Sequence, residues 1–261
     1  MSRDARQPVD RECLLLESRE ILSRIWRVVL EVPPGSYAAA SPGQFVQIEV
    51  SPGSFPLTRR PLTIDSLDSP DRIQVLFEET GAGTSLLAAV RPGAAVRVLG
   101  PLGKGWDTSP GRWLFVGGGL GAAGFPFLAS RVDCSLVLLG ASTAGRLLPL
   151  PGLAVLTATE DGSVGFHGLV TGLLDRVDWR LVDHVALCGP VPMMRAVVRA
   201  VPPGMSEKTQ VSAESRMGCG WGACEGCSVP AADGGYLKCC TDGPVFPASD
   251  LDWDRWKGVR G

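Results

Sequence analysis

Four thiols near the C-terminal end of the sequence carry the clearest chemistry. Cys219, Cys224 and Cys227 follow one another at x4 and x2 intervals, and Cys240 comes after twelve further residues. Three thiolates in one tight loop and a fourth from beyond it can surround a two-iron, two-sulfide rhomb. The x4 and x2 intervals are those of plant-type [2Fe–2S] centres. Gly218, Gly220, Gly222, Ala223 and Gly226 are small enough to let backbone amides approach the sulfides. A zinc ion with four cysteine ligands is the alternative, although zinc ribbons carry two C-x2-C pairs and this segment has one. Cys239 adjoins Cys240, and spacing alone does not choose between them. Cys13, Cys134 and Cys188 fall in or at the ends of apolar runs, where a cysteine reads as core.

Other residues could take phosphates and a nucleotide. Arg59-Arg60-Pro61-Leu62-Thr63 closes a strand region, with Arg as a fixed positive fork and Thr as a hydroxyl donor or acceptor. Gly81-Ala82-Gly83-Thr84 opens a helix whose first amides face an anion; an ordinary turn with Thr84 as N-cap reads equally well. Gly117-Gly118-Gly119-Leu120-Gly121 follows an apolar strand and offers close backbone approach to a dinucleotide, though not in G-x-G-x-x-G spacing. Cys188-Gly189-Pro190 follows the last apolar strand of the same region. Ligands of open α/β sheets gather at such strand ends; a plain strand-to-helix turn is the other reading.

These residues need elements to hold them. From about 12 to 107, runs such as Ile25–Leu30, Phe45–Val50, Ile73–Phe77 and Ala95–Leu99 are separated by Pro-Gly turns, which predicts a small antiparallel barrel. One helix, Thr84–Val90, interrupts it. From about 112 to 203, the apolar runs Trp113–Val116, Cys134–Leu139, Leu153–Thr157 and His184–Leu187 alternate with helix-compatible stretches. That predicts a parallel sheet of the nucleotide-binding type. Beyond about 205 periodicity fades and Gly and Cys dominate. The predicted fold is thus multidomain β plus α/β: barrel 1–108, nucleotide domain 109–204 and cluster domain 205–261.

Composition narrows the function classes. A net charge of −2, from 25 basic and 27 acidic residues, argues against a general nucleic-acid binder, which needs a basic face. The 33 glycines and 21 prolines exclude a long-helix bundle. The longest apolar stretch, Trp113–Ser130, is broken by glycines and a proline, so no membrane span is expected. The N-terminus has no apolar signal region, and a cytoplasmic, reducing location is expected, with structural disulfides disfavoured.

Taken in order, Arg60-Pro61-Leu62-Thr63, Gly83-Thr84, the Gly117 run, Thr159–Gly168, Cys188-Gly189-Pro190 and the cysteine cluster resemble the ferredoxin-reductase superfamily. More narrowly, they resemble the electron-transfer subunits of type B (NAD-dependent) dihydroorotate dehydrogenase, over about residues 12 to 247. Glu214–Gly220 and Cys240–Phe246 are the most specific segments. The resemblance implies FAD held by Arg60, Pro61, Leu62, Thr63, Leu76, Phe77, Glu78, Gly83 and Thr84. It implies NAD as co-substrate near Gly117, Gly118, Gly119, Gly121, Cys188, Gly189 and Pro190. Cys219, Cys224, Cys227 and Cys240 would hold the [2Fe–2S] cluster, Cys240 being favoured over Cys239 because the family's fourth cysteine directly precedes the segment matching Thr241–Pro244. Two departures stand out: the family's Gly-x-Gly-x-Ala-Pro reads Gly119-Leu120-Gly121-Ala122-Ala123-Gly124 here, and Glu78 puts a negative charge beside the expected FAD phosphate.

The implied activity is an oxidoreductase relay in pyrimidine biosynthesis. Electrons from dihydroorotate would pass from the FMN of a catalytic partner subunit through the cluster and FAD to NAD+. Nothing in the chain resembles an FMN-binding (β/α)8 barrel, so that site is expected on the partner, in a heterotetramer; no amino-acid side chain of this subunit is expected to be catalytic in itself. The alternatives are an NAD(P)H:ferredoxin or sulfur-linked reductase subunit of the same superfamily and a zinc-containing scaffold.

Overall fold

The computed structural model describes residues 8–51, 53 and 55–258. Six strands close an antiparallel barrel: β1 (Asp10–Leu22), β2 (Ile25–Glu31), β3 (Phe45–Ile48), β4 (Arg60–Ser69), β5 (Arg72–Glu78) and, after helix α1 (Ala82–Ala88), β6 (Ala95–Leu102). Their order around the barrel is β1-β2-β5-β4-β3-β6. Alternation decides which side chains enter: Val28 and Leu30 of β2, Val46 and Ile48 of β3, Ile73, Val75 and Phe77 of β5, and Val96 and Val98 of β6 fill the interior. Phe45 and Gln47, with the opposite parity on β3, point out of the barrel. The Arg60–Thr63 quartet opens β4 rather than closing a strand, and α1 begins two residues before the expected Thr84.

The second body is a seven-stranded sheet: β7 (Arg112–Gly118), β8 (Asp133–Ala141), β9 (Val155–Thr159), β10 (Phe166–His167), β11 (His184–Cys188), β12 (Thr209–Ser212) and β15 (Val245–Pro247). Their order is β10-β9-β8-β7-β11-β12-β15, parallel except for the last pair. β7 lies at its centre and is buried on both faces: Leu114 and Val116 pack on one side, Trp113 and Phe115 on the other. The short helix α2 (Phe125–Ala129) and α3 (Val191–Ala200) follow β7 and β11.

Two of these strands, β12 and β15, come from beyond residue 204. Val211, Val245 and Phe246 are buried there, so the last segment completes the sheet edge as well as forming its own hairpin, β13 (Ser228–Pro230) with β14 (Tyr236–Lys238). No sequence period announces β12 or β15, because strands of three or four residues contain too few alternations to show one. Among the described residues no helix is long and apolar enough to cross a membrane.

Candidate functional site: a cleft joined to a thiol loop

The strand order reverses at β7, with β8 on one side and β11 on the other, which is where open α/β sheets bind ligands. The carboxyl ends of these strands face the barrel across a cleft of about 340 Å³, within the usual range of small-molecule sites. Pro61, Leu62 and Thr63 of β4, Leu76, Phe77 and Glu78 of β5, and Thr84 form its barrel wall; Leu120, Gly121, Ala123, Gly124, Phe125 and Cys188 form its sheet wall. Segments far apart in sequence therefore share one cavity.

Arg60 and Gly83 meet at one end of the barrel wall. A Cβ on Gly83 would fall 2.1 Å from the Arg60 Nε and Nη2, so only glycine lets the guanidinium lie across the start of α1. Arg60 Nη1 donates to the Thr58 carbonyl at 2.6 Å and to its hydroxyl at 3.1 Å. Gly81, not Thr84, is the N-cap. The Thr84 hydroxyl accepts from the Thr80 and Gly81 amides at 2.9 and 3.1 Å, bracing the turn from inside the helix.

Glu78 is neutralised by a group that sequence did not connect with it. Arg146, in the turn after β8, donates through Nη2 to Glu78 Oε1 at 2.6 Å. A guanidinium from the sheet thus answers the carboxylate of the barrel, which removes the electrostatic objection to a phosphate-bearing ligand nearby.

The glycine run packs closely at the switch point. A Cβ on Gly117 would meet the Phe125 ring at 2.8 Å, one on Gly118 the Met193 sulfur at 2.6 Å, and one on Gly121 the Cys188 carbonyl group at 2.8 Å. Gly189 lies against the Gly118 backbone, and Pro190 borders the same notch. Gly119, at φ +52°, has open space where a side chain would be. Gly124 occupies the place of the family's proline: its Cβ would stand 3.2 Å from the Thr63 methyl, so the glycine brings β4 close to the turn.

A third wall was not foreseen. Ser212, Ala213, Glu214, Ser215, Arg216 and Met217 continue from β12 along the cleft and lead directly into Cys219. Glu214 exposes its side chain to the cleft while protein encloses it on the remaining sides, and that desolvation raises its pKa above the usual carboxylate range. Burial, with Glu214 nearby, also pushes up the Cys188 thiol. The rule that ligands gather at the carboxyl ends of parallel strands would have found this segment, had β12 been recognised as one.

The four expected cysteines form two pairs. The Cys227 and Cys240 sulfurs are 3.2 Å apart, and the Cys219 amide donates to the Cys224 sulfur at 3.5 Å. Amides of Trp221 and Ala223 donate to the Cys219 sulfur at 3.4 and 3.3 Å. Desolvation opposes ionisation of Cys219, but these amide bonds and Cys224 outweigh it and bring its pKa down to about 6. Among the described residues no three His, Cys, Asp or Glu side chains converge on one point as a single ion requires. Two thiol pairs with amide donors suit a binuclear iron–sulfide rhomb instead, one pair to each iron. Cys239 is fully buried, interacts with Ser215, and has its pKa pushed up to about 12 by burial.

A model of the iron–sulfur cluster binding domain of dihydroorotate dehydrogenase B matches residues 214–252. A curated protein of Desulforamulus reducens, "Dihydroorotate dehydrogenase B (NAD(+)), electron transfer subunit", is 37% identical over 82% of this chain and 88% of its own. The equivalent protein of Fusobacterium nucleatum is 30% identical over 92% of this chain and 98% of its own. Among solved structures, a chain of the NADH-dependent reduced ferredoxin-NADP oxidoreductase superposes with a TM-score of 0.79. It is 27% identical and is matched over 94% of this chain and 91% of that one.

Proposed function

The chain belongs to the family of electron-transfer subunits of NAD(+)-dependent dihydroorotate dehydrogenase B, and from that premise we propose how its residues serve the activity. It is an oxidoreductase component that uses FAD, a [2Fe–2S] cluster and NAD, with a place in pyrimidine biosynthesis and a catalytic partner subunit. The observation that carries the residue assignment is the single segment Ser212–Cys219. It lines the cleft at one end and supplies a thiol at the other, so flavin and cluster sites share one stretch of backbone.

In this reading residues 1–108 hold FAD, 109–204 receive NAD and 205–261 hold the cluster, β12 and β15 lending strands to the nucleotide sheet. Arg60 would bind the FAD phosphate beside Gly83 and Thr84, and Pro61–Thr63 with Leu76–Glu78 would frame its ring system. The notch of Gly117, Gly118, Gly119 and Gly121, with Cys188, Gly189 and Pro190, would admit the nicotinamide end of NAD. Cys219 with Cys224, and Cys227 with Cys240, would each take one iron. When bound, flavin converts paired to single electrons and the cluster passes one at a time. The protein's part is to position and to hold charge. Thr63 offers a hydroxyl, Arg146 keeps Glu78 neutralised, and Glu214 retains a proton further up the pH scale than an ordinary glutamate.

The partner's proposed cofactor is FMN, the proposed assembly a heterotetramer, and the proposed location the cytoplasm. Trp221, 53% exposed within the cysteine loop, is the proposed anchor on the partner. Cofactor analysis of the purified chain tests the reading: one FAD, two irons and two sulfides per chain are expected, whereas a single zinc or absent flavin overturns it.

A further inference from the structure

Gln47 is the one polar side chain of the described residues that is 0% exposed with both ends of its amide lacking a hydrogen-bond partner. Leaving a buried donor and acceptor unpaired costs free energy that folded proteins rarely concede, so a partner of suitable chemistry belongs there. Its position says which. Val46 and Ile48, on either side in β3, point into the barrel, so Gln47 points out of it. Gln47 pairs across the sheet with Pro61, which lines the cleft, yet Gln47 itself does not line it. Instead its side chain abuts the cysteine loop. A Cβ on Gly220 would fall 2.7 Å from the Gln47 Cγ and Nε2, and Gly220 adopts φ +81°, so backbone and space both require glycine there.

A second orphan borders the same loop. The Thr241 hydroxyl, next to Cys240, is buried without a partner, and a Cβ on Gly222 would lie 2.9 Å from the Thr241 methyl. Two partnerless polar groups thus flank the two glycines on either side of Trp221. The acceptors missing here are those an iron–sulfur group supplies: sulfides and thiolates, which attract N–H and O–H donors and are tuned by them.

We infer that Gln47, from the flavin barrel, is a positioning residue for the cluster, donating its Nε2 hydrogen to a sulfur held in the Cys219–Cys227 loop. The inference rests on the cluster assignment above. A donor to sulfur stabilises the reduced cluster, which carries the extra negative charge, and so raises its midpoint potential. It also ties the barrel that frames the flavin to the loop that holds the metal.

The test uses the full-length chain with its cofactors. Gln47→Met keeps the side-chain length and removes the donor; Gln47→Asn withdraws it by one methylene. Iron and sulfide content is measured first, then the midpoint potential by EPR-monitored redox titration. Both variants should retain two irons and titrate at more negative potential than wild type, Gln47→Met by more. In iron-free protein, where the amide finds no hydrogen-bond partner, Gln47→Met should instead raise the unfolding temperature. A wild-type potential in iron-loaded Gln47→Met overturns the inference, as does iron-free Gln47→Met that is no more stable than wild type. Should Gln47→Met not load iron, Gln47→Asn and the iron-free comparison decide in the same way. Absence of a two-iron centre in wild type would instead remove the cluster assignment itself.

Discussion

Replacing Arg60 with Ala tests the flavin wall at the point where the structure is most specific. The guanidinium lies across Gly83, and its Nη1 already donates to Thr58 at 2.6 Å, so its orientation is set before a ligand arrives. A charge-assisted hydrogen bond to a phosphate contributes about 1.5–3 kcal/mol. At 1.4 kcal/mol per factor of ten, losing it should raise the FAD Kd roughly 10- to 150-fold. Titrating FAD into deflavinated protein and following flavin fluorescence gives the Kd, and the barrel core is untouched because Arg60 is only half-buried. Gly83→Ala supplies an independent arm. Its Cβ would enter the space of the guanidinium at 2.1 Å and push Arg60 aside, so affinity should fall with the arginine still present. Wild-type FAD affinity in Arg60→Ala would refute the assignment; a loss in Gly83→Ala alone would move the phosphate site to the turn itself.

Cys240→Ser should lose the iron and its visible absorption, while Cys239→Ser, altering a thiol turned into the core, should keep both; the reverse pattern would exchange the two residues. Desolvation by the cleft walls raises the folded-state pKa of Glu214, so its ionisation costs stability as pH rises above about 4.3, the ordinary glutamate value. Glu214→Gln should therefore raise the unfolding temperature of deflavinated protein at pH 7 and leave it nearly unchanged at pH 4. An equal shift at both would contradict a raised pKa. Asp10 runs the opposite way: hydrogen bonding from Arg59, joined by Arg97, lowers its pKa to about 2. Its contribution is largely complete above about pH 4 and is lost as pH falls through about 2, so Asp10→Asn should destabilise by about 1 kcal/mol or less at neutral pH, given solvent screening, and by much less at pH 2, as urea titrations at both pH values would show.

Local patterns in the sequence made much of this molecule legible. Val28 and Leu30 alternate into the barrel, the apolar run Trp113–Val116 marks a strand buried on both faces, and the x4, x2 cysteine intervals are read directly along the chain. What could not be read depends on residues that meet only after folding. The charge on Glu78 looked misplaced until Arg146 came across from the other body. Glu214 lies in a segment legible along the chain, but its place in the cleft depends on β12 joining the sheet beside β11. Gln47 looked like one more polar residue in a strand, since nothing in β3 tells that Gly220 will seal it off. The Gly117 run reads along the chain as a nucleotide cradle, but that Gly117, Gly118 and Gly121 also leave room for Phe125, Met193 and the Cys188 turn depends on groups brought from elsewhere in the chain.

Dihydroorotate-dependent reduction of NAD+ by the purified chain mixed with its catalytic partner is the most direct measurement. No such activity is expected of the chain alone, NADH should form when the two are combined, and that coupling should be lost in Cys240→Ser. NADH formation by the chain without a partner, or coupling undiminished in a Cys240→Ser protein free of iron, would contradict it.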